Sequence, residues 1–228
     1  TTPNGAYSLT LPDGTYTLKV TTGDGRYHDA WYTDPNYGFL TPVSGPPDHT
    51  GLDVVLTPIP SVAGTATDSV SHAPLSGIAV TATPSTPGGT ALTATTDAAG
   101  HYAFADVALG SYLLAFTDPA GVRITEYYGG GVYTATAATP VPVTLAAPWA
   151  TVDAALDQPG SISGSITGAG GNKDRACVQA WTDATTKAGA GVCVAGGGAY
   201  SLTGLLPGTY RVSVTQKNGQ TTWYAAAT

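Results

Sequence analysis

The chain has 228 residues, 30 of them Gly and 17 Pro, and only 10% are charged. Its net charge is −7, with eight Lys and Arg in all, so no basic patch exists to receive a nucleic acid. No apolar run reaches the roughly 18 residues of a membrane span, and a chain without a single Met reads as a processed or excised piece whose missing targeting signals mean little. Short Thr-, Val- and Tyr-rich runs lie between Gly/Pro turns, which favours strands. No window sustains a 3.6-residue period, so almost no helix is expected.

The first element is the stretch GAYSLTLPDGTYTLKV, Gly5 to Val20. Tyr16, Leu18 and Val20 alternate with Thr17 and Lys19, the period of a strand with one apolar face. Pro12-Asp13-Gly14 has turn chemistry: Pro presets φ and Gly accepts a positive one. Tyr7–Leu11 and Tyr16–Val20 are therefore predicted to form a hairpin. An aromatic pair follows at Trp31-Tyr32, then a long loop over Asp34–His49, then a strand Leu52-Asp-Val-Val-Leu56. Pro58–Pro60 marks a boundary. A new strand begins with Ser61-Val-Ala-Gly-Thr-Ala-Thr67, and the stretch GHYAFADVALGSYLLAF runs from Gly100 to Phe116. Tyr127-Tyr128 and Val152-Asp-Ala-Ala-Leu156 complete this part, and Asp157–Gly160 marks a second boundary. Ser161-Ile-Ser-Gly-Ser-Ile-Thr167 opens the last part. GAYSLTGLLPGTYRVSV then runs from Gly198 to Val214, with Trp223-Tyr224 beyond it.

These elements are copies of one another. Gly-x-Tyr recurs at Tyr7, Tyr102 and Tyr200, and Gly-Thr/Ser-Tyr at Tyr16, Tyr112 and Tyr210. The period of about 97 residues is too long for a solenoid unit and is the size of one β-sandwich domain. The predicted organisation is a partial unit over 1–58 lacking its opening strands, a complete unit over 59–157, and a partial unit over 158–228 lacking its closing strand. An open half-sandwich exposes strand edges and core, so either the natural protein is longer or other chains fill its ends. The short, Pro-containing linkers predict semi-rigid stringing of the units.

The run S-V-A-G-T-A-T-D, followed by A-P-L-S-G-I-A-V-T-A-T, T-T-D-A-A-G-H-Y-A-F and L-G-S-Y-L-L, resembles the carboxypeptidase regulatory-like domains. These are relatives of transthyretin and of the B-type repeats of collagen adhesins. The trailing E-Y-Y-G-G and V-D-A-A-L are similar to versions found in tandem on secreted actinobacterial proteins. The resemblance implies an all-β fold of tandem Ig-like, transthyretin-like antiparallel β-sandwiches. It says little about function, because such a module serves as stalk, adhesin segment or enzyme appendage.

Candidate sites are few. Cys177 and Cys193 align with Ala79 and Thr95, which flank the Pro-Ser-Thr-Pro-Gly-Gly turn symmetrically. They are expected to face each other across a hairpin as a disulfide rather than as two thiols, which implies an oxidising compartment. The Lys–Asn/Asp isopeptide bond of collagen-adhesin relatives is not expected, since the middle unit has no Lys and the one Glu of the chain is Glu126. The aromatic pairs recur in every copy, which favours packing. A ligand surface, a sugar for example, is best placed in the first copy, at Trp31, Tyr32, Tyr37 and Phe39 with Asp34. Asp24, Asp29 and Asp34 are a weaker alternative as calcium ligands. The four His lie in turn-like contexts, no Gly-x-Ser-x-Gly elbow occurs, and Gly196–Gly198 lacks the Lys-Ser/Thr of a phosphate loop. Neither catalysis nor a cofactor or metal is expected. Asp53 and Asp153 recur in the closing strand, which suggests a structural polar contact. The reading is a non-catalytic extracellular stalk or spacer of a secreted or surface-anchored bacterial protein. Its expected partners are neighbouring repeats of the same or adjacent chains and, in the alternative, a polysaccharide. A carbohydrate-binding accessory module and a fibre subunit that exchanges strands are the competing readings.

Overall fold

The computed structural model describes residues 2, 4–33, 42–45, 49–166, 175–195 and 198–224. The only helical element among them is a single 3-10 turn at Ala135–Ala137. The first part holds four short strands: β1 (Gly14–Tyr16), β2 (Lys19–Val20), β3 (Ala30–Trp31) and β4 (Val43–Gly45). β1 pairs antiparallel with β4, and β2 with β3. Tyr7–Leu11 forms no strand.

The middle part is a two-sheet sandwich of β5 (Ser61–Asp68), β6 (Ala79–Pro84), β7 (Leu92–Thr95), β8 (His101–Ala105), β9 (Gly110–Thr117), β10 (Glu126–Tyr127), β11 (Val141–Val143), β12 (Trp149–Thr151) and β13 (Ala154–Leu156). One sheet runs β10-β9-β6-β7, with β11 on the same edge of β9 as β10. The other centres on β5, which pairs antiparallel with β8 and in parallel with β12 and then β13. Strict alternation buries Tyr102 and Phe104 of β8, and Tyr112, Leu114 and Phe116 of β9. They meet Val62, Val80, Val152 and Leu156 in one core. Tyr102 meets Phe104 and Phe116 edge-on, with centroids 5.8 and 5.7 Å apart, the geometry that aromatic quadrupoles favour.

The expected hairpin is not formed. β8 and β9 are consecutive in the chain, yet they lie in opposite sheets and face each other across the core. The period-two pattern shows which face of a strand is buried but not which sheet the strand joins. A tyrosine corner makes the crossing. The Tyr112 hydroxyl donates to the Ala108 carbonyl at 2.8 Å, and Tyr16 donates to Pro12 at 2.9 Å. Tyr210 donates likewise to the carbonyl of Leu206. The Tyr of each Gly-Thr/Ser-Tyr anchor thus makes the same bond to the carbonyl four residues back, and Pro12–Gly14 lies at a corner.

The last part holds β14 (Gly160–Ser165), β15 (Arg175–Trp181), β16 (Lys187–Ala195), β17 (Ala199–Leu205), β18 (Arg211–Gln216) and β19 (Thr221–Tyr224). β14 pairs with β17, and the second sheet runs β16-β15-β18-β19. Its core is smaller: Ala176, Val178, Ala180, Leu202, Leu205, Val212 and Val214.

Candidate functional site

Pro58–Pro60 is held from both sides. The Ile59 amide donates to the Arg26 carbonyl at 2.8 Å, and the His28 amide to the Thr57 carbonyl at 2.9 Å. Trp149 of β12 completes the clamp. Its indole N–H donates to the Ile59 carbonyl at 3.1 Å, Tyr27 meets its ring edge-on with centroids 5.4 Å apart, and the Arg26 guanidinium lies 5.0 Å from the ring centroid. The Val107 amide holds the Pro60 carbonyl at 2.9 Å. Proline limits φ on its own, and these contacts add tertiary restraint.

The second boundary is fastened through Asp157. Its amide donates to the Glu126 carboxylate, its carbonyl accepts from the Ile124 amide at 2.9 Å, and its carboxylate accepts from the Tyr133 hydroxyl at 2.6 Å. One residue further back, the Leu156 carbonyl accepts from the Ser69 amide at 3.1 Å. Burial raises the Glu126 carboxyl above its ordinary range; the Asp157 amide opposes the rise and the Asp157 charge adds to it. Burial also raises the Tyr133 phenol, helped by Asp157. Asp68, at the end of β5, is held down at about 2, first by the Ser71 amide, then by the Ser71 hydroxyl, with the Val70 amide and Arg123 adding to these against the effect of burial. Arg123 and Asp68 form a buried ion pair.

A cleft of about 460 Å³ lies between the Tyr127–Gly131 segment and β13, with Glu126, Asp153 and Asp157 among its lining. Its carboxylates are already engaged. Glu126 takes the Asp157 amide and Asp157 takes Tyr133. Asp153 takes the Thr65 amide at 2.8 Å and the Thr65 hydroxyl at 2.7 Å. One oxygen of each carboxylate thus takes part in closing the sandwich.

The sequence-derived candidates fall in different places. Cys177 and Cys193 are opposite residues of β15 and β16 and are joined as a disulfide. Trp31 is 48% exposed, while its neighbour Tyr32 is buried. Lys19 stands 5.8 Å from the Trp31 ring centroid and pairs with Asp29 at 2.6 Å. Asp34, Tyr37 and Phe39 lie outside the described residues, as does most of Gly196–Gly198. Asp24 accepts its bond from the Arg26 amide at 3.0 Å. No group of three His, Cys, Asp or Glu converges among the described residues. Sequence reasoning missed Arg26, Tyr27, Trp149, Tyr133 and Asp157 as junction residues. Only the boundary position of Asp157 could have pointed to one of them.

Residues 61–157 match the carboxypeptidase regulatory-like domain family. The match starts and ends with the two-sheet sandwich, from the first residue of β5 to the residue after β13. No match was found among curated proteins. Among solved structures, a streptococcal ancillary pilin aligns at 14% identity and a TM-score of 0.41, covering 94% of this chain and 72% of the pilin. The major pilin SpaD of Corynebacterium diphtheriae aligns at 12% identity and a TM-score of 0.35, covering 73% of this chain and 63% of SpaD. GBS52, a minor pilin of Streptococcus agalactiae, aligns at 9% identity and a TM-score of 0.38, covering 74% of this chain and 90% of the pilin.

Proposed function

We propose that the chain is a non-catalytic spacer of an extracellular bacterial protein, in which regulatory-like units are strung at fixed spacing. The clamp at Pro58–Pro60 carries this reading: Arg26, Tyr27 and Trp149 restrain a linker that proline already stiffens. The disulfide supports an oxidising compartment, outside the cytoplasm. Low charge and abundant Thr and Gly suit a surface with few partners beyond neighbouring repeats. Spin labels at Thr17 and Ala103, both exposed, test the reading. The expected distance distribution is narrow in the parent chain and broad in Trp149→Ala. Equal breadth in both would remove the spacer function.

Trp31 favours a second reading, a polysaccharide-binding surface. It is large, half-exposed and next to a cation, whereas its partner Tyr32 is buried. In this reading Trp31→Ala abolishes retention on insoluble polysaccharide while the circular dichroism spectrum stays unchanged. Parent chain that is not retained would exclude it.

A further inference from the structure

The sheet of β16, β15, β18 and β19 carries on its outer face a set of side chains that the middle unit lacks. Along β15, Ala176, Val178 and Ala180 face the core, while Cys177, Gln179 and Trp181 face away from it. Trp181 is flanked in register by Lys187 of β16 and Arg211 of β18, both exposed. The Lys187 ammonium stands 5.5 Å from the Trp181 ring centroid. Trp223 of β19 lies opposite Ser213 on the same face, and its ring centroid is 5.4 Å from that of Trp181. The Trp181 indole N–H donates to the Ser213 hydroxyl at 2.8 Å, which fixes that ring over β18. Trp223 is 47% exposed.

The fold itself does not require this set. Trp181, Arg211, Ser213 and Trp223 align with Thr83, Leu113, Ala115 and Tyr127, which make the same strand pairings in the middle unit. There the face has no charge and one ring. It faces solvent in that unit too, since Thr83 is exposed and Leu113 and Ala115 are half-buried. The chain beyond β10 returns as β11 along the same edge of β9. The outward position of the face is therefore a property of the sandwich.

Charge points to the occupant. Residues 158–228 hold five of the chain's eight Lys and Arg but two of its 15 Asp and Glu, which leaves three against 13 elsewhere. Asp183, at the β15–β16 turn, spends a carboxylate oxygen on the amides of Thr185 and Thr186 and on the Thr185 hydroxyl. Among the described residues neither Lys187 nor Arg211 forms an ion pair. Two cations are too few to hold a nucleic-acid backbone, whose binding grows with the number of phosphates neutralised. Two cations beside two indole rings fit a ligand that repeats a ring and a carboxylate.

We propose that this face binds an acidic polysaccharide, a chain of uronic-acid sugars. The C–H faces of its pyranose rings stack on Trp181 and Trp223, and its carboxylates pair with Lys187 and Arg211. The Arg211 guanidinium can give a carboxylate two parallel N–H donors. Because the Trp181 ring is already fixed, less side-chain freedom is lost on binding. The site is separate from Trp31, and the inference does not rest on the spacer reading, whose test lies at Pro58–Pro60.

The test titrates the whole chain with soluble polygalacturonate in a calorimeter, with dextran as the neutral control. Binding is expected for polygalacturonate alone, and it is expected to weaken as salt is raised. Lys187→Gln combined with Arg211→Gln is expected to weaken it by about tenfold or more. Trp223→Ala removes a ring without touching the charge and is expected to weaken it as well, whereas Trp31→Ala leaves it unchanged. Circular dichroism checks that each variant is folded. A parent chain that does not bind polygalacturonate overturns the proposal, as does equal binding of dextran. Unchanged affinity in either the charge variant or Trp223→Ala also overturns it. Polyglutamate bound as tightly as polygalacturonate would give the face to an acidic protein and overturn a polysaccharide.

Discussion

The middle and last units share an opening strand, a Gly–Tyr pair across it and a tyrosine corner, but they are stabilised by different means. The middle unit closes its core with β12 and β13 and has no cysteine. The last unit has no covering strand on β14 among the described residues, a smaller core, and a disulfide between β15 and β16. The disulfide crosslinks β15 and β16, whereas the middle unit has only packing and hydrogen bonds to hold its strands. The comparison can be broken most forcefully at its two equivalent glycines. Gly64→Ala drives a methyl into the Val152 carbonyl, which is backbone and cannot turn away. The covering strand must leave, and the burial of Val152 and Leu156 goes with it, at about 1.5–3 kcal/mol each. Gly164→Ala meets only the Tyr200 ring, 2.9–3.0 Å away, which can swing aside. Thermal unfolding of the two variants is expected to show a large loss in the first and little change in the second.

The next two effects separate the units by their stabilising elements. Leu156→Ala removes a fully buried side chain of the middle core and is expected to cost about 2–5 kcal/mol in chemical denaturation. The last unit has its own core and is expected to be unaffected, because distant sites add independently. Reducing Cys177–Cys193 acts the other way. The two residues are 16 apart in sequence, and opening such a loop costs roughly 3 kcal/mol. Hydrogen exchange with and without reductant is expected to speed up in β15 to β18 and stay unchanged in β5 to β9.

Some of this was legible beforehand. Cys177 and Cys193 could be placed opposite each other because they align with Ala79 and Thr95, which are themselves opposite residues of β6 and β7. The recurrence of Asp53 and Asp153 pointed to a polar contact, and Asp153 makes one with Thr65. Other features could not be read locally. Assigning β8 and β9 to different sheets needs partners far off in the chain, and alternation is silent on that choice. The Gly-Thr/Ser-Tyr anchor did carry the answer, since a Tyr at the start of a strand just after a turn is the mark of a tyrosine corner. The junction clamp left no local trace, because Tyr27 and Trp149 meet only once the middle unit has folded. Trp31 and Tyr32 show the limit of repetition as a guide: the pair recurs, yet one member is half-exposed and the other buried.

The tyrosine corners sharpen the comparison more gently. Each Phe substitution at Tyr112 or Tyr210 removes one hydroxyl bond, worth about 0.5–1.5 kcal/mol. Tyr112→Phe is expected at the upper end of that range, because Tyr112 is buried and leaves the Ala108 carbonyl without its partner. Tyr210 is more exposed, so water can replace its bond. Urea midpoints for the two variants would test this, and a larger loss at Tyr210 would put the weaker core in the middle unit.

The smallest difference lies in the response to acid. Asp68 in the middle unit and Asp183 in the last are both held at about 2. The Ser71 amide leads for Asp68 and the Thr185 amide for Asp183. A carboxyl lowered on folding stabilises above its unfolded value of 3.8 and loses that contribution as pH falls towards about 2. Both units are therefore expected to weaken together over that window. Glu126 has no counterpart in the last unit, and its sign is opposite. Its carboxyl is raised by burial, so folding favours the protonated form. That contribution is complete below the unfolded value of 4.5 and is lost as pH rises through the raised one. Glu126→Gln mimics the protonated form, so it should flatten this part of the profile in the middle unit alone. The reason is physical: the Asp157 amide needs only an oxygen to accept its bond, and a charge on Glu126 is disfavoured in a buried site beside Asp157. Unfolding midpoints from pH 4 to 7 that fall in the parent chain but not in the variant would establish this, and parallel profiles would show that Glu126 titrates as it does in the unfolded chain.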